Sequence, residues 1–176
     1  MLSKVLTYAT LFAASALGAT AAAVNFGDVV TLAQHRGIDV HGPIPADATP
    51  IAGGFSFKAD SDAAYWVRAQ AAVENSGDLE KRTFSGMRIG FFTGFGCTGD
   101  GKFISDVQFD HQNVAPANFL YNSVSIGGRS ISPQEQLDFS TRDDSDLCAF
   151  YQSSLRDTGV GCYDQSGFSC VRLIAL

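Results

Sequence analysis

Residues 93–97 read TGFGC, and the same pattern returns at residues 158–162 as TGVGC. In both copies a phenylalanine, Phe103 or Phe168, follows the cysteine by six positions, and a pair of aromatic residues precedes it. Apolar and polar residues alternate most clearly over residues 103–109, which is the period of a half-buried strand. Because an internal repeat indicates the architecture of a chain, we predict an all-β second half built from two related motifs.

The other strand candidates of this half are short and are separated by glycine-rich turns. They are residues 87–92, 120–126, 137–139, 148–152 and 170–174. If they form two packed sheets, one set of side chains faces the space between the sheets. We expect this core to contain ten residues: Phe91, Phe92, Phe103, Val107, Phe109, Val124, Ile126, Phe150, Val171 and Leu173.

The first 23 residues have the pattern of a secretory signal peptide. Lys4 is their only charged residue, residues 5–17 are apolar, and small residues suit cleavage between positions 19 and 23. The apolar stretch is too short to cross about 30 Å of hydrocarbon, which takes about 20 residues. We therefore expect a secreted, extracellular protein without a membrane span.

The chain has four cysteines, and all of them lie after residue 96: Cys97, Cys148, Cys162 and Cys170. An even number of cysteines in a secreted protein predicts disulfides, here two, and four cysteines allow three connectivities. Neither a Cys-x-x-Cys pair nor a histidine stands at the spacing of a zinc site. The residues themselves leave the connectivity open.

Residues 24–82 contain no cysteine and end in Lys81-Arg82, the only adjacent pair of basic residues in the chain. This pair resembles the site at which kexin-type proteases of the fungal secretory pathway cut, after the arginine. Prolines indicate a loop over residues 41–54, and Asp60-Ser61-Asp62 could cap a helix over residues 63–74. We predict a partly helical pro-segment over residues 24–82 and a mature β domain over residues 83–176. The alternative is that Lys81-Arg82 is a chance surface pair.

The composition excludes some functions. With 18 Asp and Glu against 12 Lys and Arg, the formal charge is −6. A nucleic-acid partner needs a basic face, and so does an anionic membrane surface, so we expect neither. Asp110-His111 is the one acid–histidine neighbour after residue 82, and no nucleophile motif accompanies it. We expect a protein that is not an enzyme.

An acidic cluster lies between the two copies of the repeat, at Asp143, Asp144 and Asp146. Carboxylates are ligands that calcium prefers, so these residues are candidates for a calcium site. The following residues, Leu147 and Cys148, supply no hydroxyl ligand. The sequence favours a solvated loop without a metal or other cofactor.

The repeat also resembles a known family. Residues 92–99 (FTGFGCTG), followed by Ile104, resemble the folded hairpin of a βγ-crystallin Greek-key motif. Residues 123–128 (SVSIGG) resemble the serine-bearing strand of that motif, with Cys97 in the place of its second aromatic residue. The resemblance covers residues 87–173. It implies a βγ-crystallin-like sandwich of two Greek keys, in which the serine hydroxyl bonds the folded hairpin.

The resemblance has further implications. It would bring Cys162 near Cys170 and leave Cys97 to pair with Cys148. A dibasic site before a cysteine-bearing half is also similar to fungal small secreted effector-like proteins. That class implies an effector or virulence-type protein whose partner is an unidentified extracellular or host protein. The alternatives are an antimicrobial or killer-type toxin and a hydrolase inhibitor.

Overall fold

The computed structural model describes six stretches of the chain, namely residues 26–75, 86–110, 112–114, 120–143, 145–146 and 148–176. The predicted signal peptide at residues 1–23, the dibasic pair Lys81-Arg82, His111 and Asp144 lie outside them. The described part contains two helices and ten strands. The helices are α1 (Phe26–His35) and α2 (Asp62–Asn75).

About half of the described residues lie in two antiparallel sheets. The strands are β1 (Thr49–Ile51), β2 (Gly54–Phe57), β3 (Met87–Phe92), β4 (Gly101–Val107), β5 (Asn113–Val114), β6 (Tyr121–Gly127), β7 (Ile131–Thr141), β8 (Phe150–Thr158), β9 (Gly161–Phe168) and β10 (Cys170–Ala175). The larger sheet has the order β1-β2-β4-β3-β6-β9, and the smaller sheet has the order β5-β10-β7-β8. The mostly β architecture predicted for the second half is confirmed.

Strands β3 to β6 and strands β7 to β10 form the two halves of the repeat, and each half contributes one strand to the sheet that the other half mainly forms. Strand β5 lies between β4 and β6 in the chain, but it pairs with β10 of the smaller sheet. Strand β9 lies between β8 and β10 in the chain, but it pairs with β6 of the larger sheet. Each sheet therefore contains one strand from the other half, which ties the halves into one folded unit.

The main core lies between the sheets. It contains Met87, Ile89, Phe91, Ile104, Val107, Tyr121, Val124, Ile126, Ile131, Leu137, Phe139, Phe168, Val171 and Leu173. Phe168 contacts Phe91 and Phe139 with ring centroids 6.0 and 4.9 Å apart. Six of the ten residues predicted for this core are among its members.

Phe92 and Phe103 were predicted for the space between the sheets, and this was wrong. Both pack on the opposite face of the larger sheet. Phe92 follows Phe91 directly, and successive strand residues face opposite sides. For Phe103 the reason is a β-bulge. Met87 pairs with Val107 and Ile89 with Ile104, so β4 has one residue more than β3 and its alternation reverses between Phe103 and Val107.

Phe109 and Phe150 were also predicted to be in the core, and both are exposed, by 47% and 56%. Phe109 follows the end of β4, where its backbone forms only an isolated bridge to Leu173. Phe150 is the first residue of β8, the terminal strand of the smaller sheet. Sequence alternation does not reveal that a strand lies at the edge of a sheet, so it overestimates burial there.

The predicted helix is confirmed as α2. Its first turn is capped twice, since the hydroxyl of Ser61 accepts the Ala64 N–H at 3.1 Å and Asp47 accepts the N–H groups of Asp62 and Ala63. Such side-chain acceptors satisfy the free N–H groups of a helix start. The sequence did not predict α1, nor strand β1 within the expected loop over residues 41–54.

Two disulfides are present, but their connectivity differs from the one that the resemblance implied. Cys97 is bonded to Cys162, and Cys148 is bonded to Cys170. The strand exchange is the reason. Cys162 lies on β9 and pairs in register with Ser125 of the larger sheet, which places it beside Cys97. Cys170 begins β10 in the smaller sheet.

Candidate functional site: a covered face and an exposed edge

Residues 26–75 cover one face of the larger sheet and extend its edge. Strand β2 pairs with β4 from Gly54 opposite Ile104 to Phe57 opposite Gly101, and β1 continues beyond it. Helices α1 and α2 pack with these strands on the face that points away from the main core. We call this face, with Phe92 and Phe103 on it, the covered face.

Aromatic side chains dominate the contact at the covered face. The ring of Phe103 stacks on Phe55 with centroids 5.0 Å apart and meets Trp66 edge-on at 5.8 Å. Phe57 contacts Phe92 at 5.4 Å. All five side chains are buried, and buried aromatic rings dominate core and interface energetics. The predicted pro-segment thus supplies most of a second apolar core.

Small residues let α2 approach the sheet closely. Five alanines of α2 are buried: Ala63, Ala64, Ala69, Ala71 and Ala72. On the sheet side, a Cβ atom added at Gly90 would lie 2.8 Å from Cγ1 of Val67 and 2.5 Å from Oγ of Ser125. Only glycine fits at this point of β3 without displacing the helix or the neighbouring strand.

A buried polar chain crosses the same contact. Nη1 of Arg88, on β3, donates to Oε1 of Gln70 at 3.0 Å, and the Gln70 amide donates to the carbonyl of Val40. Arg88 and Gln70 are 4% and 7% exposed, and burial lowers the pKa of the Arg88 guanidinium. A buried cation is costly without hydrogen-bond partners. The bond from Arg88 to Gln70 therefore stabilises the packing of α2 on β3.

Asp100 fixes the end of the β2–β4 contact. Its carboxylate accepts the Ala59 N–H at 2.7 Å and the ammonium of Lys58 at 2.9 Å. These bonds, first the backbone N–H and then Lys58, hold the pKa of Asp100 below its usual value. Beside them, a cavity of about 250 Å³ remains between residues 47–58 and the sheet. Tyr121 lines this cavity, and burial raises the pKa of its phenol to about 12.

We predict that Asp100 makes the attachment of residues 26–75 sensitive to acid. Because the pKa of Asp100 is lower in the folded state, its ionised carboxylate stabilises the fold. This stabilisation is complete above the usual aspartate pKa of about 4 and is lost as the pH falls through the lower folded value. Asp100→Asn should lower the melting temperature at pH 7, and the difference from wild type should shrink at pH 3. Asp157→Asn is the exposed control. An Asp100→Asn deficit that is independent of pH would contradict this role.

The turn at residues 93–100 is held by Ser123 of β6. The Ser123 hydroxyl accepts the Cys97 N–H at 2.9 Å and donates to the Gly94 carbonyl at 2.6 Å. The turn closes on itself through Thr93 N–H to Asp100 O and Gly94 N–H to Thr98 O, both at 2.9 Å. The expectation that a serine hydroxyl bonds this turn is confirmed, and Ser123 is fully buried.

We predict that Ser123→Ala costs about 1–3 kcal/mol of unfolding free energy, because it leaves two buried backbone groups without their partner. Chemical denaturation measures this cost. Ser130→Ala removes a hydroxyl from an exposed turn residue and should change the free energy of unfolding by less than about 0.5 kcal/mol. Equal effects of the two substitutions would refute the assignment of Ser123.

The acidic loop forms its own hydrogen bonds. Oδ1 of Asp143 accepts the Ser145 N–H, the Ser145 hydroxyl and the Asp146 N–H at 2.6 to 2.9 Å. These donors, the Asp146 N–H first, lower the pKa of Asp143. Asp146 accepts the Cys148 N–H at 2.9 Å. Within the described ranges no three His, Cys, Asp or Glu side chains are grouped as metal ligands, and Asp144 is not among the residues described.

We predict that millimolar calcium leaves the melting temperature of the protein unchanged, because turn donors already occupy Asp143. Thermal melts with calcium and with a chelator test this. The double variant Asp143→Asn, Asp144→Asn should keep the fold. A calcium-dependent rise that disappears in the double variant would instead establish a metal site in this loop.

A second surface is exposed along β8. Phe95, Phe150 and Tyr151 are 58%, 56% and 60% exposed. An open cavity of about 340 Å³ lies beside them, lined by Phe95 and by polar side chains: Gln152, Ser153, Asp164, Gln165 and Ser166. Oδ1 of Asp164 accepts the Gly96 N–H at 2.6 Å, which fixes the turn that carries Phe95. We call these residues the β8 surface.

The sequence contained a signal for one strand at the covered face. The alternation in residues 54–57 (GFSF) is typical of a strand whose phenylalanines share one face, and it could have predicted β2. Nothing in the sequence indicated that this strand pairs with β4. The predicted processing residues Lys81 and Arg82 fall in the stretch between α2 and β3 that the structure leaves undescribed.

No protein-family model, curated protein or solved structure matches the chain. Neither of the described helices is long and apolar enough to cross a membrane.

Proposed function

We propose that the chain is a secreted, non-enzymatic interaction protein of the effector or virulence type, matured by cleavage after Arg82. Its partner is an extracellular or host protein that binds the β8 surface. The exposed aromatic side chains of that surface carry the proposal. Phe150 and Tyr151 are successive residues of β8, so their side chains lie on the two sides of this terminal strand, and aromatic residues are enriched in protein interfaces.

The geometry of β8 suits a protein partner. It is the terminal strand of the smaller sheet, so its outer N–H and C=O groups can accept an added strand. Phe150 and Tyr151 stand at its start, and the polar side chains of the cavity beside Phe95 offer hydrogen bonds around the aromatic groups. An apolar centre with a polar rim is the anatomy of a protein interface.

The disulfides support secretion. Disulfides persist in oxidising compartments and are rare where thiols are kept reduced. The two disulfides of this chain therefore agree with the signal peptide predicted at residues 1–23. The strand exchange and the Ser123 contact support the further proposal of two Greek keys arranged as in a βγ-crystallin domain. In that arrangement β3, β4, β5 and β6 form one key, and β7 to β10 form the other.

Removal of the two aromatic rings on β8 tests the partner surface. The double variant Phe150→Ser, Tyr151→Ser should secrete and melt like wild type, yet lose the partner recovered by affinity capture from the extracellular fluid of challenged tissue. Phe109→Ser, which changes an exposed phenylalanine elsewhere, should retain it. Retention of the same partner by the double variant would exclude the β8 surface.

Three activity assays separate the proposed class from its alternatives. Wild type should produce a response in host tissue, without killing fungal or bacterial cells and without inhibiting a panel of hydrolases. Killing of microbial cells would indicate a toxin, and loss of hydrolase activity would indicate an inhibitor.

N-terminal sequencing of protein from culture fluid tests the maturation step. We expect an N-terminus at Thr83, and we expect Lys81→Ala, Arg82→Ala to abolish it. Protein that starts only between residues 20 and 24 would contradict the cleavage.

A further inference from the structure

We propose that, once the chain is cut after Arg82, residues 24–82 stay bound to residues 83–176, so that the mature protein is a non-covalent complex of two chains. This proposal rests on the proposed maturation step. It departs from the usual expectation for a pro-segment, which is discarded. The partner that the covered face fits is the chain's own first segment.

The cut would leave no covalent link between the two chains. All four cysteines lie after residue 96, and they are bonded to each other. The dibasic pair lies between the last residue of α2, Asn75, and the first residue of β3, Met87. Cleavage there breaks none of the described contacts between the segment and the sheet, so the complex must stand or fall on those contacts.

The contact has a large apolar centre. Aromatic side chains bury roughly 150–250 Å² each on folding, and Phe55, Phe57 and Trp66 bury theirs against one another and against Phe92 and Phe103 of the sheet. Ile38, Val40, Val67 and three alanines of α2, namely Ala63, Ala64 and Ala69, belong to the same cluster. Such a buried aromatic centre is where binding energy concentrates in interfaces between proteins.

Departure of the segment would leave groups on the sheet that do not suit a free surface. Phe92 and Phe103, now 0% and 5% exposed, would be uncovered on one face. Strand β4 would become an edge, because β2 pairs with it over four residues, and exposed apolar edges favour aggregation. Arg88 would lose the Gln70 amide that accepts its hydrogen bond.

Hydrogen bonds give the contact a single register. Four strand pairs, the Arg88–Gln70 bond and the Asp100 carboxylate with Lys58 and Ala59 all join the two sides. A Cβ atom at Gly90 would lie 2.8 Å from Cγ1 of Val67, so the glycine lets α2 lie close to β3. The contact therefore has an apolar centre with defined polar partners, as in interfaces between separate chains.

Cleavage changes the strength that the contact must have. In the intact chain the segment binds at an effective concentration in the millimolar range for a short linker, whereas separate chains bind at their actual concentration. A substitution that weakens the contact moderately is therefore tolerated before the cut and separates the chains after it. This difference provides the test.

The experiment uses the full secreted chain with residues 81–82 replaced by the site of an unrelated sequence-specific protease. After digestion, denaturing gels without reductant should show two fragments, and native mass spectrometry at about 1 µM should show one species containing both. Recovery of separate fragments from this wild-type interface would overturn the proposal. Failure of natural cleavage after Arg82 would affect the proposed maturation only, since the inserted site does not depend on it.

Matched variants in the first segment locate the contact without changing residues 83–176. Trp66→Ala should raise the dissociation constant of the cut complex by about 30-fold or more, as for a central tryptophan of an interface, while the uncut variant remains folded. Leu32→Ala, on the exposed side of α1 with 47% exposure, should leave the constant unchanged. Equal dissociation constants for the two variants would overturn the assigned contact, and the digestion of wild type decides the complex even if uncut Trp66→Ala does not fold.

Discussion

Replacing Phe103 with alanine is expected to destabilise the protein by about 3–5 kcal/mol, the usual cost of removing a buried phenylalanine. Phe103 lies on the covered face, where Phe55 stacks on its ring at 5.0 Å and Trp66 meets it at 5.8 Å. The cavity left by alanine would open between two elements distant in sequence, so neither can refill it alone. Since domains have only about 5–15 kcal/mol of stability, secretion of Phe103→Ala should fall sharply.

Phe109→Ala is the matched control, because it removes the same side chain from a position that is 47% exposed. It should cost less than about 1 kcal/mol, since only part of its apolar surface is removed from water in the folded protein. Urea denaturation of both variants gives the comparison. A similar loss in the two would mean that residues 26–75 do not cover Phe103.

Removing the Cys97–Cys162 disulfide is expected to have the second large effect. This bond closes a sequence separation of 65 residues, for which loop-closure entropy predicts a stabilisation of about 4 kcal/mol. It also links the turn at residues 93–100 to β9, which follows β8 in the chain but pairs with β6 in the larger sheet. The double variant Cys97→Ala, Cys162→Ala should therefore melt well below wild type and secrete poorly.

The second disulfide provides the comparison for the first. Cys148–Cys170 closes a separation of 22 residues, so its removal should cost about 3 kcal/mol. Peptide mapping without reduction should recover both of these links. Recovery of a Cys97–Cys148 link would contradict the placement of Cys97 beside Cys162 of β9.

The sequence predicted the features that depend on local pattern. Residues 62–75 follow a capping residue, Ser61, and contain no helix breaker, and they form α2. Alternation identified β3, β4 and β6, and the resemblance to a Greek-key motif implied the contact of Ser123 with the turn at residues 93–100, which the structure contains.

The features that it did not predict depend on pairing between distant segments. Phe103 and Val107 share a face in a regular strand, but a bulge in β4 separates them. The connectivity of the cysteines follows from the exchange of β9 between sheets, which no local pattern encodes. For the same reason the pairing of residues 54–57 with β4 was not foreseen, although their own alternation favours a strand.

The candidate surfaces also combine residues that the sequence identifies with contacts that depend on the fold. The exposed aromatic residues Phe150 and Tyr151 are typical core residues by type, and only their position on a terminal strand exposes them. Lys81 and Arg82 are recognised by sequence alone. What a cut beside them does depends on contacts over residues 38–70 that only the fold reveals.

Hydrogen–deuterium exchange of the intact protein tests most directly whether residues 26–75 belong to the folded unit. Amides of residues 54–57 and of α2 should exchange as slowly as those of β3 and β6, because the same sheet and core protect them. Trp66→Ala should accelerate exchange in residues 54–57 and α2 while β6 stays protected. Exchange of residues 26–75 at the rate of an unfolded chain, with β3 and β6 protected, would contradict the covered face and the two-chain protein inferred from it.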